Sequence, residues 1–217
     1  MGPGALRDAY RRDRRRLVER LRAAGIDDLA VLHAFDVVPR HLFVPEAVTH
    51  RAYEDVALPI GSEQTISRPG VHALHLSLLA VEPGEKVLEV GTGSGYQTAL
   101  LATLGARVFS IERVETLAEA ARERLARLGF DETVLRVGDG SSGWPEEAPF
   151  DGILVGASAP SVPEPLRAQL APGGRMLVPV GDARAQHLVL VRRGEDAFDE
   201  ERVDEARFVP LLGESGW

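Results

Sequence analysis

Val87-Leu88-Glu89-Val90-Gly91-Thr92-Gly93-Ser94-Gly95-Tyr96-Gln97 decides how this chain is read. An apolar run ends on a glycine turn, and the turn opens a helix. Glycine lacks a Cβ, so backbone and ligand can approach closely there. The pattern is that of a cofactor site. A dinucleotide fingerprint needs G-x-G-x-x-G, with the pyrophosphate at the helix N-terminus. Here the spacing is Gly91-x-Gly93-x-Gly95, and Tyr96 stands where the third dinucleotide glycine belongs. A nicotinamide oxidoreductase is therefore disfavoured.

Strand and helix signals alternate outward from the turn. Strands are expected at Lys86–Val90, Arg107–Glu112, Thr133–Val137, Phe150–Val155 and Arg175–Val180. Helices are expected at Tyr96–Leu104, Val114–Leu128 and near Glu164–Leu170. The alternation predicts a doubly wound α/β fold of about seven strands, mostly parallel, with helices on both faces. His187–Arg193 and Glu205–Pro210 read as two last strands with no helix between them, an antiparallel element at one edge.

Before the sheet, residues 5–24 carry eight arginines, and Leu6, Tyr10, Leu17 and Leu21 share one helical face. This predicts a solvated surface helix rather than a nucleic-acid arm. Leu29–Val37 reads as a second short helix, ended at Val38-Pro39. Residues 39–69 hold little periodicity and read as a long ordered connection, a kind of segment that is usually functional. A helix follows Pro69, with Val71, Leu74 and Leu78 at helical spacing. Residues 1–80 are thus expected as helices and a covering segment packed on a core of residues 81–217.

Composition narrows the function classes. The chain has 217 residues, a net charge of −8 and no cysteine. One sizeable core is expected. The acidic balance disfavours nucleic acid as a partner. Disulfides, thiolate metal sites and a cysteine nucleophile are excluded. No run approaches eighteen apolar residues, so no membrane partner is expected and a cytoplasmic location fits. His72-x-x-His75 lacks a third ligand of suitable spacing, and no metal is expected.

G-x-G-x-G after a strand bearing an acidic residue resembles the first motif of class I S-adenosylmethionine-dependent methyltransferases. Glu112 ends the next strand, 21 residues after Gly91, where a carboxylate can accept from both ribose hydroxyls. A surface pair with Arg113 is the plainer alternative. Asp139-Gly140 follows the third strand, where a loop would cover an adenine, although Gly138-Asp139-Gly140 is also simple turn chemistry. Glu89 lies beside the turn, either near the cofactor or holding the loop.

The segment before the turn is more specific. Phe43-Val44-Pro45, Ala52-Tyr53-Glu54-Asp55, Leu58-Pro59-Ile60-Gly61 and Gln64-Thr65-Ile66-Ser67-Arg68-Pro69 closely resemble the protein-L-isoaspartate O-methyltransferase family. The resemblance continues in order through Ile111-Glu112-Arg113, Ala148-Pro149-Phe150-Asp151, Pro172-Gly173-Gly174-Arg175, Pro179-Val180-Gly181 and Phe208-Val209-Pro210-Leu211. It implies the class I methyltransferase fold with S-adenosyl-L-methionine as cofactor, released as S-adenosyl-L-homocysteine. Isoaspartyl proteins and peptides are the implied partners, and a monomer is expected. It implies Ser67 as the active-site residue, within a segment lying over the cofactor. Cofactor contacts are implied at Thr65, Ile66, Ser67, His72, Glu89, Gly91, Thr92, Gly93, Gly95, Gln97, Glu112, Arg113, Asp139 and Gly140. Two departures bear on substrate preference. Gly156 stands where the family usually has threonine, and His72 and His75 lie where bacterial members often have Ala and Met.

The implied nucleophile is the free α-carboxylate of an L-isoaspartyl residue, with an ordinary pKa of about 3.5, already ionised at neutral pH. No strong base is needed. In-line alignment can supply about 7–11 kcal/mol of the barrier reduction in favourable cases. Ser67 would orient the carboxylate, and it also reads as a cap for the helix after Arg68-Pro69. The leading reading is repair through a succinimide. A dedicated methyltransferase for one precursor peptide is the alternative, and a non-catalytic nucleotide-binding module is a third.

Overall fold

The structure is a computed structural model and describes residues 10–217. Residues 5–9 of the expected first helix lie outside them. Helix α1 spans Arg11–Ala23 and buries Leu17, Leu21 and the stem of Arg14, so it is an integral packing element as well as a charged surface. Helix α2 spans Leu29–Val37, and the Asp28 side chain caps it by accepting from the amides of Ala30 and Val31.

The stretch read as a long ordered connection contains regular elements of its own. Two 3₁₀ turns, Arg40–Phe43 and Glu46–Arg51, lead into a hairpin of strands β1 (Leu58–Gly61) and β2 (Gln64–Ile66). Its two turn residues, Ser62 and Glu63, hold φ of 50° and 59°. A tight hairpin of this twist needs positive φ at both positions. Ser-Glu supplies it without the Asn or Gly that would announce it, which is why the sequence pattern is silent there. Helix α3 (Pro69–Leu79) follows, with Pro69 at its first turn.

The remaining chain forms one seven-stranded sheet. Its strands are β3 (Lys86–Val90), β4 (Arg107–Glu112), β5 (Val134–Val137), β6 (Phe150–Val155), β7 (Leu170–Gly181), β8 (Gln186–Arg193) and β9 (Phe198–Ala206). The order is β5-β4-β3-β6-β7-β8-β9. β3, β4, β5, β6 and β7 run parallel, while β7–β8 and β8–β9 pair antiparallel. Helices α4 (Tyr96–Thr103), α5 (Glu115–Leu128) and α6 (Glu164–Ala168) complete the crossovers. The expected class, a mostly parallel doubly wound sheet with an antiparallel edge, is the observed one.

Two boundaries differ from expectation. β7 begins at Leu170, inside the predicted helix, because α6 ends at Ala168. The last strand is Phe198–Ala206, not Glu205–Pro210. Every residue of β9 is exposed or half-buried, so its sequence carries no apolar alternation.

The direction of strand progression reverses between β3 and β6. In such sheets ligands bind outside the carboxyl ends of the strands at that point. Those ends are Val90-Gly91 and Val155-Gly156. An apolar cluster joins α1, α2, the hairpin and α3 to Val87, Tyr96, Leu100 and Leu154, so the N-terminal elements pack directly over the switch point.

Candidate active site

The glycine turn is rigid by its own bonds. Gly91, Gly93 and Gly95 hold φ of 96°, 53° and 84°. The Gly91 amide donates to Ile111 of β4, and the Gly95 amide donates to Thr92 within the turn. A Cβ at Gly95 would meet Leu125 of α5 at 3.3 Å while adopting a left-handed backbone. Glu112 is buried, and its two carboxylate oxygens accept from the Gly93 amide at 2.8 Å and the Val114 amide at 2.9 Å. It is therefore a brace for the turn rather than a surface partner of Arg113.

Beneath the turn lies a buried polar cluster. One oxygen of Glu89 accepts from Thr98 at 2.5 Å and from Ser110 at 2.6 Å. The Thr92 hydroxyl bonds Ser110 at 2.6 Å, so it faces the sheet. The other oxygen of Glu89 is buried without a partner among the described residues. Burial pushes the Glu89 carboxyl up to about 7, against the hydrogen bonds from Ser110 and Thr98, which lower it.

The covering segment closes the site from the other side. Thr65 is exposed, Ile66 buried and Ser67 half-buried. Ser67 does not cap α3. The cap position is Arg68, without a side-chain bond, and Asp55 instead accepts from the Gly70 amide at 2.7 Å. His72 is buried on α3 with Nδ1 hydrogen-bonded to Gln97. His72 Nε2 and Gln97 Nε2 are buried without partners among the described residues. Burial holds His72 down to about 3, with the Arg40 charge adding to the effect. His75 is likewise lowered by burial to about 4, and it stacks on Phe208 with ring centroids 5.5 Å apart. Both imidazoles are neutral at physiological pH.

Sequence reasoning missed three contributors. Arg40 is wholly buried, donating from Nε to the Ala52 carbonyl at 2.9 Å and from Nη2 to the Ser67 carbonyl at 2.8 Å. Nothing in a lone arginine after Val-Pro distinguishes it from a surface residue. The Gln186 side-chain amide grips the Phe208 backbone, accepting from its N–H at 2.7 Å and donating to its carbonyl at 3.1 Å. The C-terminal segment then folds back over the turn, with the Ser158 amide donating to Val209 and the Trp217 indole donating to Ser158.

Asp139 serves that segment. Its carboxylate accepts from the amides of Ser141 at 2.8 Å and Glu214 at 2.9 Å. Burial raises its pKa, but these bonds outweigh that and hold it below the usual range. Gly140, not Asp139, lines the cavity.

Two cavities meet at Thr65, Gly91, Gly93 and Gly156. The outer one, about 110 Å³, has apolar walls from Val90, Ile111, Leu211 and Leu212, with Glu112 and Arg113 at its polar side. The inner one, about 70 Å³, is lined by Ile66, Ser67, His72, Glu89, Thr92 and Gln97. It shares Ser67, Val71, His75 and Phe208 with a surface groove edged by Arg68, Arg184 and Arg207 and by Asp204 and Glu205. Gly156 borders both cavities, and a Cβ there would press on the Val90 carbonyl of β3 at 3.2 Å. Of the predicted residues, all but Gly95 and Asp139 border these cavities. Those two act from behind.

This arrangement fits a nucleoside-linked amino acid. A flat base suits the apolar walls, and a ribose suits the carboxylate of Glu112. The unpartnered Glu89 oxygen and His72 Nε2 offer the inner cavity acceptors, since His72 Nδ1–H donates to Gln97, and Gln97 Nε2 offers a donor, as an amino-acid end requires.

A profile of the protein-L-isoaspartate(D-aspartate) O-methyltransferase family matches residues 12–216. A protein-L-isoaspartate O-methyltransferase from Pseudomonas paraeruginosa is 53% identical over 202 residues, covering 93% of this chain and 96% of the relative. A solved protein-L-isoaspartate O-methyltransferase superposes with a TM-score of 0.86 at 30% identity, covering 94% of this chain and 67% of the other. A Plasmodium falciparum protein described as the same enzyme, in complex with S-adenosyl-L-homocysteine, superposes with a TM-score of 0.79 at 29% identity, over 90% of this chain and 96% of that one.

Proposed function

The chain belongs to the protein-L-isoaspartate(D-aspartate) O-methyltransferase family, and from that premise we propose how its residues carry out the family's reaction. The protein is a methyltransferase that uses S-adenosyl-L-methionine to esterify the free α-carboxylate of L-isoaspartyl residues. In the ester the leaving group is methoxide rather than the oxide of an ionised acid, so the neighbouring backbone amide nitrogen attacks the ester carbonyl, loses its proton, expels methanol and closes a succinimide. Hydrolysis of the succinimide returns part of the material to normal aspartate, which is repair.

The observation that carries this reading is that the cavity at the glycine turn and the surface groove share Ser67, Val71, His75 and Phe208 in their walls. When bound, S-adenosylmethionine supplies an electrophilic methyl on a sulfonium. The chain would hold it with Glu112 at the ribose, Gly140 and the C-terminal segment at the base, and Glu89, His72 and Gln97 at the amino-acid end. Neutral His72 and His75 place no second cation beside that sulfonium.

The acceptor enters through the groove as an ionised carboxylate and needs no base. Ser67 donates one neutral hydrogen bond that orients the carboxylate without quenching it. Closure by the Thr65–Ser67 segment sheds water from it. Catalysis is then mainly alignment.

Labelled methyl transfer tests the reading, with an isoaspartyl peptide against the same peptide carrying normal aspartate. Label is expected only in the isoaspartyl peptide, and equal labelling of both would refute it. We further read the protein as a cytoplasmic monomer without a nucleic-acid partner. Its net charge of −8 and lack of cysteine support this, and the mass in solution, with and without added RNA, checks it. Among the described residues no helix is long and apolar enough to cross a membrane.

A further inference from the structure

We propose that Arg40 is a positioning residue: it pins both ends of the covering segment and so fixes Ser67 against the glycine turn. The inference rests on Ser67 facing the acceptor carboxylate.

A wholly buried guanidinium is an expensive core element, because desolvation must be offset by excellent partners. Leucine or methionine would fill the same space without that penalty. Among the described residues no carboxylate forms an ion pair with Arg40. Asp55, which acts on it electrostatically, is paired with Arg68 at 3.5 Å. The partners are two carbonyls, Ala52 and Ser67. These flank residues 53–66, the stretch that contains the β1–β2 hairpin and ends just before Ser67. One rigid planar group thus ties together the entry and exit of the whole cover.

The third contact completes the link. The guanidinium lies 4.9 Å from the ring centroid of Tyr96, the first residue of α4 and the one that follows Gly95. Tyr96 is buried and also meets His72 edge-on at 5.4 Å. The donor side and the acceptor side of the site are therefore referenced to a single side chain. Because Arg40 holds Ser67 by its backbone carbonyl, it sets where the serine hydroxyl points without touching the substrate.

The experiment compares Arg40→Lys and Arg40→Gln with the wild type. Four quantities are measured: kcat and KM for an isoaspartyl peptide, S-adenosylhomocysteine affinity by calorimetry, and amide exchange across residues 64–69 and 87–97. Expected is a kcat at least tenfold lower in Arg40→Gln, partly recovered in Arg40→Lys. Cofactor-product affinity should stay within threefold in both. Exchange should accelerate in 64–69 and stay unchanged in 87–97. A wild-type kcat in Arg40→Gln would overturn the proposal. So would a parallel loss of cofactor affinity, which marks a merely structural role. If neither variant folds, Arg40 is a core element only and the proposal fails. The exchange readout needs no substrate, so it stands or falls separately from the reaction assigned to the site.

Discussion

Gly91–Gly95 and Gln64–Ser67 face each other across one cleft and are held in different ways. The turn is held from within. Its amides are taken up by Ile111, Thr92 and the Glu112 carboxylate, all belonging to the sheet or its immediate extension. The cover is held from outside, by Arg40 at its ends, by Asp55 at the start of α3, and by a hairpin whose turn residues sit at positive φ. A cofactor common to many proteins is met by the part that the sheet makes rigid. The acceptor is met by the part whose position depends on a few side chains. Perturbing the first should remove donor binding, and perturbing the second should remove turnover while leaving donor binding intact.

The largest effect is expected from Glu112→Ala. It leaves two buried amides without a charged acceptor, each worth about 1.5–3 kcal/mol. S-adenosylhomocysteine affinity should fall by about 100-fold or more, read by calorimetry. Wild-type affinity in that variant would show that the turn does not depend on its brace. Ser67→Ala comes next. Loss of one hydrogen bond to a charged group should lower kcat about 10- to 100-fold. Cofactor affinity should not change, and a concerted drop in both would erase the division between the two halves.

A third effect reads buried titratable groups on both sides of the cleft. His72 and His75 are lowered from 6.5 to about 3 and about 4, so their stabilisation is complete above pH 6.5 and is lost as pH falls. Glu89 is raised from 4.5 to about 7, so its stabilisation is complete below pH 4.5 and is lost as pH rises through 7. Between about pH 6.5 and 4.5 the unfolded chain binds two extra protons on the histidines, and the folded chain binds one on Glu89. From these groups, stability of the ligand-free protein should fall by about 1.4 kcal/mol per pH unit on acidification. Urea titrations across that range should show the slope vanish in His75→Phe and about double in Glu89→Gln. The smallest effect is expected from Asp55→Ala, which removes an exposed cap of α3. About 1 kcal/mol should be lost in thermal or urea unfolding, with cofactor affinity unaffected.

The same division governs what the sequence could reveal. β3, β4 and β6 are buried on both faces and read as apolar runs between turn signals, and the glycine spacing between them already discriminates among cofactors. Glu112 was legible as a residue near the ribose by its distance from the turn, but its engagement of two amides was not, because that depends on the three-dimensional path of the backbone. The β1–β2 hairpin was illegible, since Ser62 and Glu63 adopt a geometry their side chains do not advertise. Arg40 was hidden for a related reason. Its partners, Ala52 and Ser67, are carbonyls, and every residue has one. Asp139 had both a binding and a turn reading; its contact with Ser141 is turn chemistry, and its contact with Glu214 ties down the C-terminal segment.

β9, the strand misplaced by its lack of apolar alternation, carries Asp199, Glu200, Glu201, Asp204 and Glu205 along the outer margin of the sheet. An open margin is a template on which a second chain can add as a further strand. Asp199, Glu200 and Glu201 pair with Arg192 and Arg167, yet the margin stays net acidic and would meet like charge on any identical copy approaching edge to edge. The residues that hid the strand from pattern reading are thus a barrier to aggregation, and neutralising them should turn a well-behaved sheet edge into a site of self-association.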